Sequence, residues 1–174
     1  MAYLLDAGVF IEAKRRFYGL DFCPGYWEWL MREADAGTLQ SIERVAEELG
    51  AQQDDLSAWA ATLPAGFFLR PDAAFSNAFQ RVSQWVLTSG FQAAAYNEFL
   101  DVADSFLIAQ ALAGDHIVVT LEKPATTPSR RKIKVAGRMR GRWRPVHDAI
   151  CVDATSGRAP RAGWDQAMTT LRAR

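Results

Sequence analysis

The sequence is poor in residues that crosslink chains or bind soft metals: its 174 residues include two cysteines and two histidines. Cys23 and Cys151 lie far apart and form no CxxC pair, which argues against a disulfide framework or a zinc site and for buried thiols in a reducing compartment. His116 and His147 are single and distant, and core or surface placement is a simpler reading than a general base. No apolar run approaches the ~20 residues that cross a bilayer. The opening Met1-Ala2-Tyr3-Leu4-Leu5-Asp6 has no basic segment, and Asp6 interrupts its apolar stretch, so no secretory signal is expected. These absences predict a cytoplasmic protein with no membrane partner.

Net charge is also absent, at zero overall, but the halves differ. Residues 1–124 carry 8 Lys and Arg against 17 Asp and Glu, and residues 125–174 carry 12 against 3. The bland reading is a solvated basic tail; the sharper one is an acidic site beside a surface that holds phosphates. Six Trp and ten Phe suit a well-filled core. The length suits one domain over residues 1–174, with 125–150 as a basic loop or insertion within it.

The chain opens with a short apolar run over residues 3–11, as in a strand buried on both faces, with Gly8 loosening the backbone near its carboxyl end. Periodicity predicts helices over 26–36 and 43–49, the second capped by Ser41, after a short strand at 39–42. Asp54 and Asp55 start a helix reaching Leu63, and Pro71-Asp72 start a longer one to about Thr88, after a brief apolar run at 67–69. A helix over 91–100 and an almost wholly apolar one over 105–113 follow. Residues 116–121 are the clearest strand. A last strand at 150–152 and a terminal helix over 165–174 complete the reading. The order predicts an α/β domain with a mainly parallel sheet.

Five carboxylates matter because of their placement. Asp6 lies in or at the end of the first strand, Glu122 ends the second clear strand, Asp104 starts the buried helix with Asp101 just before it, and Glu43 starts the helix after 39–42. Each has a plain alternative. Asp104 could cap a helix, Glu43 could complement a helix dipole, Asp101 could be surface, and Glu122 could pair with Lys123. Asp6 is the hardest to dismiss, since a charge among apolar neighbours is costly unless compensated. Parallel sheets bind ligands at the carboxyl ends of their strands. Acids converging there suit a hard cation such as Mg²⁺ or Mn²⁺, one ion activating water or two flanking a phosphodiester.

Leu4-Leu5-Asp6-Ala7-Gly8-Val9-Phe10-Ile11, Ser41-Ile42-Glu43-Arg44-Val45, Ala103-Asp104-Ser105-Phe106-Leu107 and Val118-Val119-Thr120-Leu121-Glu122 resemble the four acidic motifs of PIN-domain proteins. The run from Phe17 to Gly25 and the stretch Arg131-Lys132-Ile133-Lys134 resemble a bacterial and archaeal PIN-like branch. The resemblance covers roughly residues 2–135. It implies a three-layer α/β/α sandwich with a central, mainly parallel sheet, and a metal-dependent endoribonuclease. It further implies a metal-binding set of Asp6, Glu43, Asp104 and Glu122, with Asp101 auxiliary. Thr120 would orient a ligand or water on the substrate side. Two departures stand out: Gly8 where many members carry Asn or Ser, and Glu122 where many carry Asp.

Many bacterial relatives of this kind are toxins, so the implied partners are RNA, a cognate antitoxin protein and a second copy in a homodimer. Lys14, Arg15, Arg130, Arg131, Lys132 and Lys134 are candidates to hold the RNA backbone. Two other readings stay open. One is a nucleic-acid binder on a degenerate scaffold; the other is an interaction module docking through aromatics such as Trp143 or Trp164.

Overall fold

Leu4 and Leu5 in one strand and Val118 and Val119 in another are at most 1 % exposed, as strands covered on both faces require. They form the middle of a sheet in a computed structural model that describes residues 2–121, 133, 143–146 and 149–153. In chain order the elements are β1 (Tyr3–Leu5), α1 (Ala7–Glu12), a π-helical turn (Ala13–Phe17), α2 (Pro24–Asp35), β2 (Leu39–Ile42), α3 (Glu43–Gly50) and α4 (Asp55–Ala60). Then come β3 (Phe68–Leu69), α5 (Ala73–Thr88), α6 (Ala93–Asp101), α7 (Ala103–Gly114), β4 (Ile117–Thr120), β5 (Trp143–Val146) and β6 (Ala149–Asp153).

The strand order is β3-β2-β1-β4-β6-β5. The first four are mutually parallel, with Leu5 opposite Val119, whereas β6 runs antiparallel to β4 and β5 antiparallel to β6. The chain winds outward from β1 through β2 to β3, then crosses back to lay β4 on the other side of β1. Right-handed crossovers in these two directions put helices on opposite faces, which gives the three-layer α/β/α sandwich with its mainly parallel sheet. It also makes the β1–β4 junction the point where strand order reverses, and such a junction leaves a crevice at the strands' carboxyl ends.

Local sequence sets most element ends. Asp54 and Asp72 cap α4 and α5, accepting from the backbone N–H of Ser57 at 3.0 Å and of Phe75 at 2.7 Å. Asp115 closes α7 in the left-handed region at φ 52°, and the exposed end of Gly114 must lack a side chain because a Cβ there would run into the His116 ring. Phe10, Trp27 and Trp59 build the core under α1, α2 and α4, with Trp27 and Trp59 edge to face at 4.7 Å.

Two expectations change. The strand predicted over residues 3–11 stops at Leu5, and Gly8 to Ile11 are helical, because Val9 N–H already bonds Asp6 O at 3.0 Å. Ser41 does not cap α3; Ile42 holds that position without a side-chain bond, and Ser41 faces β1 instead. The terminal helix expected over 165–174 lies outside the described residues. Among the described residues no helix is long and apolar enough to cross a membrane.

His116 ties the start of β1 to β4: its Nδ1 accepts the Ala2 N–H at 3.1 Å. That bond needs a neutral ring, and burial holds the imidazole below its usual range near 6.5. The fold therefore prefers the unprotonated form, so its contribution is complete above pH 6.5 and falls as pH drops through the depressed folded value. Urea-unfolding free energies between pH 7.5 and 5 should decline more steeply for the wild type than for His116→Asn; parallel slopes would refute this role.

Candidate functional site

The carboxyl end of β1 is held from both sides. Ser41 on β2 is fully buried and donates its hydroxyl to Leu5 O at 2.6 Å. Thr120 ending β4 is fully buried and donates to Asp6 Oδ2 at 2.9 Å. The Asp6 N–H meets Val119 O at 3.0 Å. Two strand neighbours thus fix the peptide and the carboxylate of one residue, at the point where strand order reverses. An added Cβ at Gly8 would stand 3.4 Å from Asp6 Oδ2, so a hydroxyl or amide at that position would lie beside the carboxylate, and the glycine supplies none.

A solvent-open cleft next to this junction is lined by Glu48, Glu98, Phe99, Val102, Ala103, Asp104 and Ile133. None of these is basic. Glu48 is exposed, yet desolvation of its carboxyl, and second the negative charge of Asp6, push its pKa above the usual carboxylate range. Asp104 sits in the first turn of α7, where the positive end of the helix dipole favours an anion. The site is therefore an acidic crevice with oxygen donors only. Among the described residues no three His, Cys, Asp or Glu side chains stand close enough together to hold one ion.

Of the expected set, the structure joins Thr120 to Asp6 and places Asp104 on the cleft, and it gives others different partners. Glu43 is not the member of α3 that faces Asp6. It pairs with Arg70 at 3.2 Å and lines a different groove. Glu48, five residues on, is rotated about 140° around the helix and takes that place. Asp101, the last residue of α6, is exposed and does not line the cleft, whereas Glu98, one turn earlier, does.

Thr120 is too deeply buried to touch a substrate and positions Asp6 instead. Lys14 is committed elsewhere: its ammonium bonds Asp54 at 2.6 Å and also Asp55, bonds that raise its own pKa and lower that of Asp54. Forty residues separate these groups, so only the fold could reveal the clamp. Arg15 is exposed on the π-helical turn. Glu122, Arg130, Arg131, Lys132 and Lys134 lie outside the described residues. Ile133, among them in sequence, is 7 % exposed and lines the cleft.

Glu48 and Glu98 carried a legible signal. Each stands three residues after one buried apolar residue and directly before another, in Val45-Glu48-Leu49 and Ala95-Glu98-Phe99. An acid at that spacing borders the buried stripe of an amphipathic helix; both are exposed and line the cleft.

The raised pKa of Glu48 makes a stability prediction. A carboxyl whose folded pKa is raised binds its proton more tightly in the native state, so the fold is most favoured below about 4.5 and loses that contribution as pH rises through the folded value. Glu48→Gln should therefore melt above wild type at pH 7, and the gap should close below pH 4.5. An equal or lower melting temperature at pH 7 would show that the carboxylate is not under electrostatic strain.

No curated protein and no solved structure matches the chain. A family described as a domain of unknown function, DUF4411, matches residues 3–140, from the first residue of β1 to beyond Ile133. The protein with this hydroxyl-braced aspartate at its strand crossing belongs to the DUF4411 family.

Proposed function

We propose that this protein is a metal-dependent nuclease that hydrolyses RNA phosphodiester bonds. The observation that carries the reading is the Thr120-braced Asp6 carboxylate at the strand-order reversal of a parallel sheet, with its charge felt by Glu48 on a cleft that holds Glu48 and Asp104 and no basic residue among its described lining. Like charges forced together at a site open to solvent are best relieved by a hard divalent cation. Asp6 and Glu48 would face it, and because no three described acids stand close enough to hold one ion, a further donor is needed, for which the sequence offers Glu122. Mg²⁺ or Mn²⁺ supplies charge neutralisation at the phosphodiester and a more acidic water.

The chain's own residues do the rest. Thr120 holds the Asp6 carboxylate and Ser41 the carbonyl before it, and both would do so without touching substrate. Glu98 adds negative charge at the rim. Ile133 brings the chain to the cleft wall in the middle of Arg130-Arg131-Lys132-Ile133-Lys134, a sequence whose cations suit phosphate oxygens flanking the scissile bond. The resemblance of the motifs around Asp6, Asp104 and Thr120 to PIN-domain proteins supports RNA over DNA. It also supports the narrower reading of a toxin held in check by a cognate antitoxin. A second reading, a module that binds nucleic acid without cutting it, is favoured by one observation: the described acids do not by themselves converge on a point.

Single-stranded RNA incubated with the pure protein should be cut in Mg²⁺ and not in EDTA. Asp6→Asn and Glu48→Gln should each lower the rate by about a hundredfold or more, Asp101→Asn should leave it within about twofold, and Glu43→Gln should cost far less than Glu48→Gln. Binding without cleavage, unchanged by EDTA, would decide for the second reading. Equal rates for Glu48→Gln and wild type would remove the proposed ion site.

A further inference from the structure

The groove that holds Glu43 has a chemistry of its own. Its inner wall is Ile42, Leu69, Phe75 and Phe106, and Gln110 of α7 forms its floor. Gln110 is 8 % exposed, and among the described residues no hydrogen bond reaches its carboxamide. A buried amide with no partner is costly, and this one lines an opening. Arg44 lays its guanidinium over the Phe106 ring, 4.8 Å from the centroid, and Phe106 stacks on Phe75 at 5.6 Å and 27°.

The rim charges cancel. Glu43 pairs with Arg70 at 3.2 Å and Glu47 with Arg44 at 3.5 Å. The groove therefore selects neither phosphate nor cation. It suits an uncharged flat group with donors and acceptors on its edge. Its cavity of about 50 Å³, open to solvent, is far smaller than a closed ligand site, so it receives the polar edge of one ring while the ring's face lies on the surface.

Location supplies the ligand class. Ile42 and Leu69 end β2 and β3, so the groove opens at the same sheet edge as Asp6. Helices α3 and α7 line both openings, with Glu48 and Asp104 on the cleft and Glu43, Arg44, Phe106 and Gln110 on the groove. A single strand lying across that edge meets both.

We propose that this groove is a nucleobase subsite, in which one unpaired base of the strand stacks against the Phe106–Arg44 pair and hydrogen-bonds by its polar edge to the Gln110 carboxamide. Stacking on an aromatic or guanidinium plane, with edge contacts from a side-chain amide, is how proteins read splayed bases. The strand's presence rests on the nuclease reading; the chemistry of the groove does not.

The test begins without metal. Full-length protein in EDTA is titrated with AMP, GMP, CMP and UMP and followed by NMR shifts. One base should bind best, and Gln110→Leu should weaken that nucleotide by about tenfold while melting at or above wild type, because an unpartnered polar group has been replaced by an apolar one of similar size. Arg44→Ala, at an exposed position, should lose the stacking part of the affinity. In Mg²⁺, Gln110→Leu should still cut RNA but lose its preference for sites beside that base. Wild-type binding with no cleavage by any variant would keep the subsite and remove the nuclease. Cleavage with unchanged sequence preference in Gln110→Leu, equal binding of all four nucleotides by variant and wild type, or a variant that melts several degrees lower would overturn the subsite.

Discussion

Everything at the functional edge depends on one carboxylate and the two hydroxyls that fix its surroundings. Asp6 follows a strand buried on both faces, where an ionised side chain is costly unless its oxygens find partners. Thr120 donates to the carboxylate, and Ser41 holds the carbonyl just before it. Both donors are fully buried, so they cannot turn toward water and lose their aim. This brace works because β1 lies between β2 and β4 in the sheet. One hydroxyl arrives from each neighbour, at the level where the parallel strands end.

The helices then distribute chemistry around that fixed point. Helix α3 has eight residues and serves three sides. Val45 and Leu49 are buried in the core, Glu48 faces the cleft, and Glu43, Arg44 and Glu47 face the aromatic groove. A turn of 100° per residue is enough to divide them. Helix α7 does the same with Asp104 and Gln110. The two openings are therefore neighbours by construction, one acidic with no basic residue among its described lining, the other neutral and lined by rings. Electrostatics separates them as much as shape does: Glu43 and Glu47 have arginine partners, whereas the first named charge near Glu48 is another carboxylate.

How much of this could be read in advance varied with the range of the interaction. Strand β2 and the starts of α4 and α5 were legible because caps and short apolar runs act over three or four residues. The parallel sheet was legible from the apolar runs around Leu4 and Val118, and Asp6 from its apolar neighbours. Glu43 was read as a ligand from its position next to a strand end, while its ion pair with Arg70 and the place of Glu48 on the cleft depend on how the whole helix lies. Lys14 was read as an RNA contact because it is basic and near Asp6 in sequence; Asp54 and Asp55 reach it only through the fold.

Sequence by itself determined the class of sheet, the half-buried acid at its edge, the charge contrast between the two halves and the scarcity of soft metal donors, because these depend on composition and on periodicities of two and 3.6 residues. Tertiary structure alone decided which acids line the cleft, which basic residue is already paired, that Thr120 braces Asp6, and that Gln110 is buried with no hydrogen-bond partner among the described residues. Those facts depend on distances between groups as much as 114 residues apart, and no local pattern encodes such a distance.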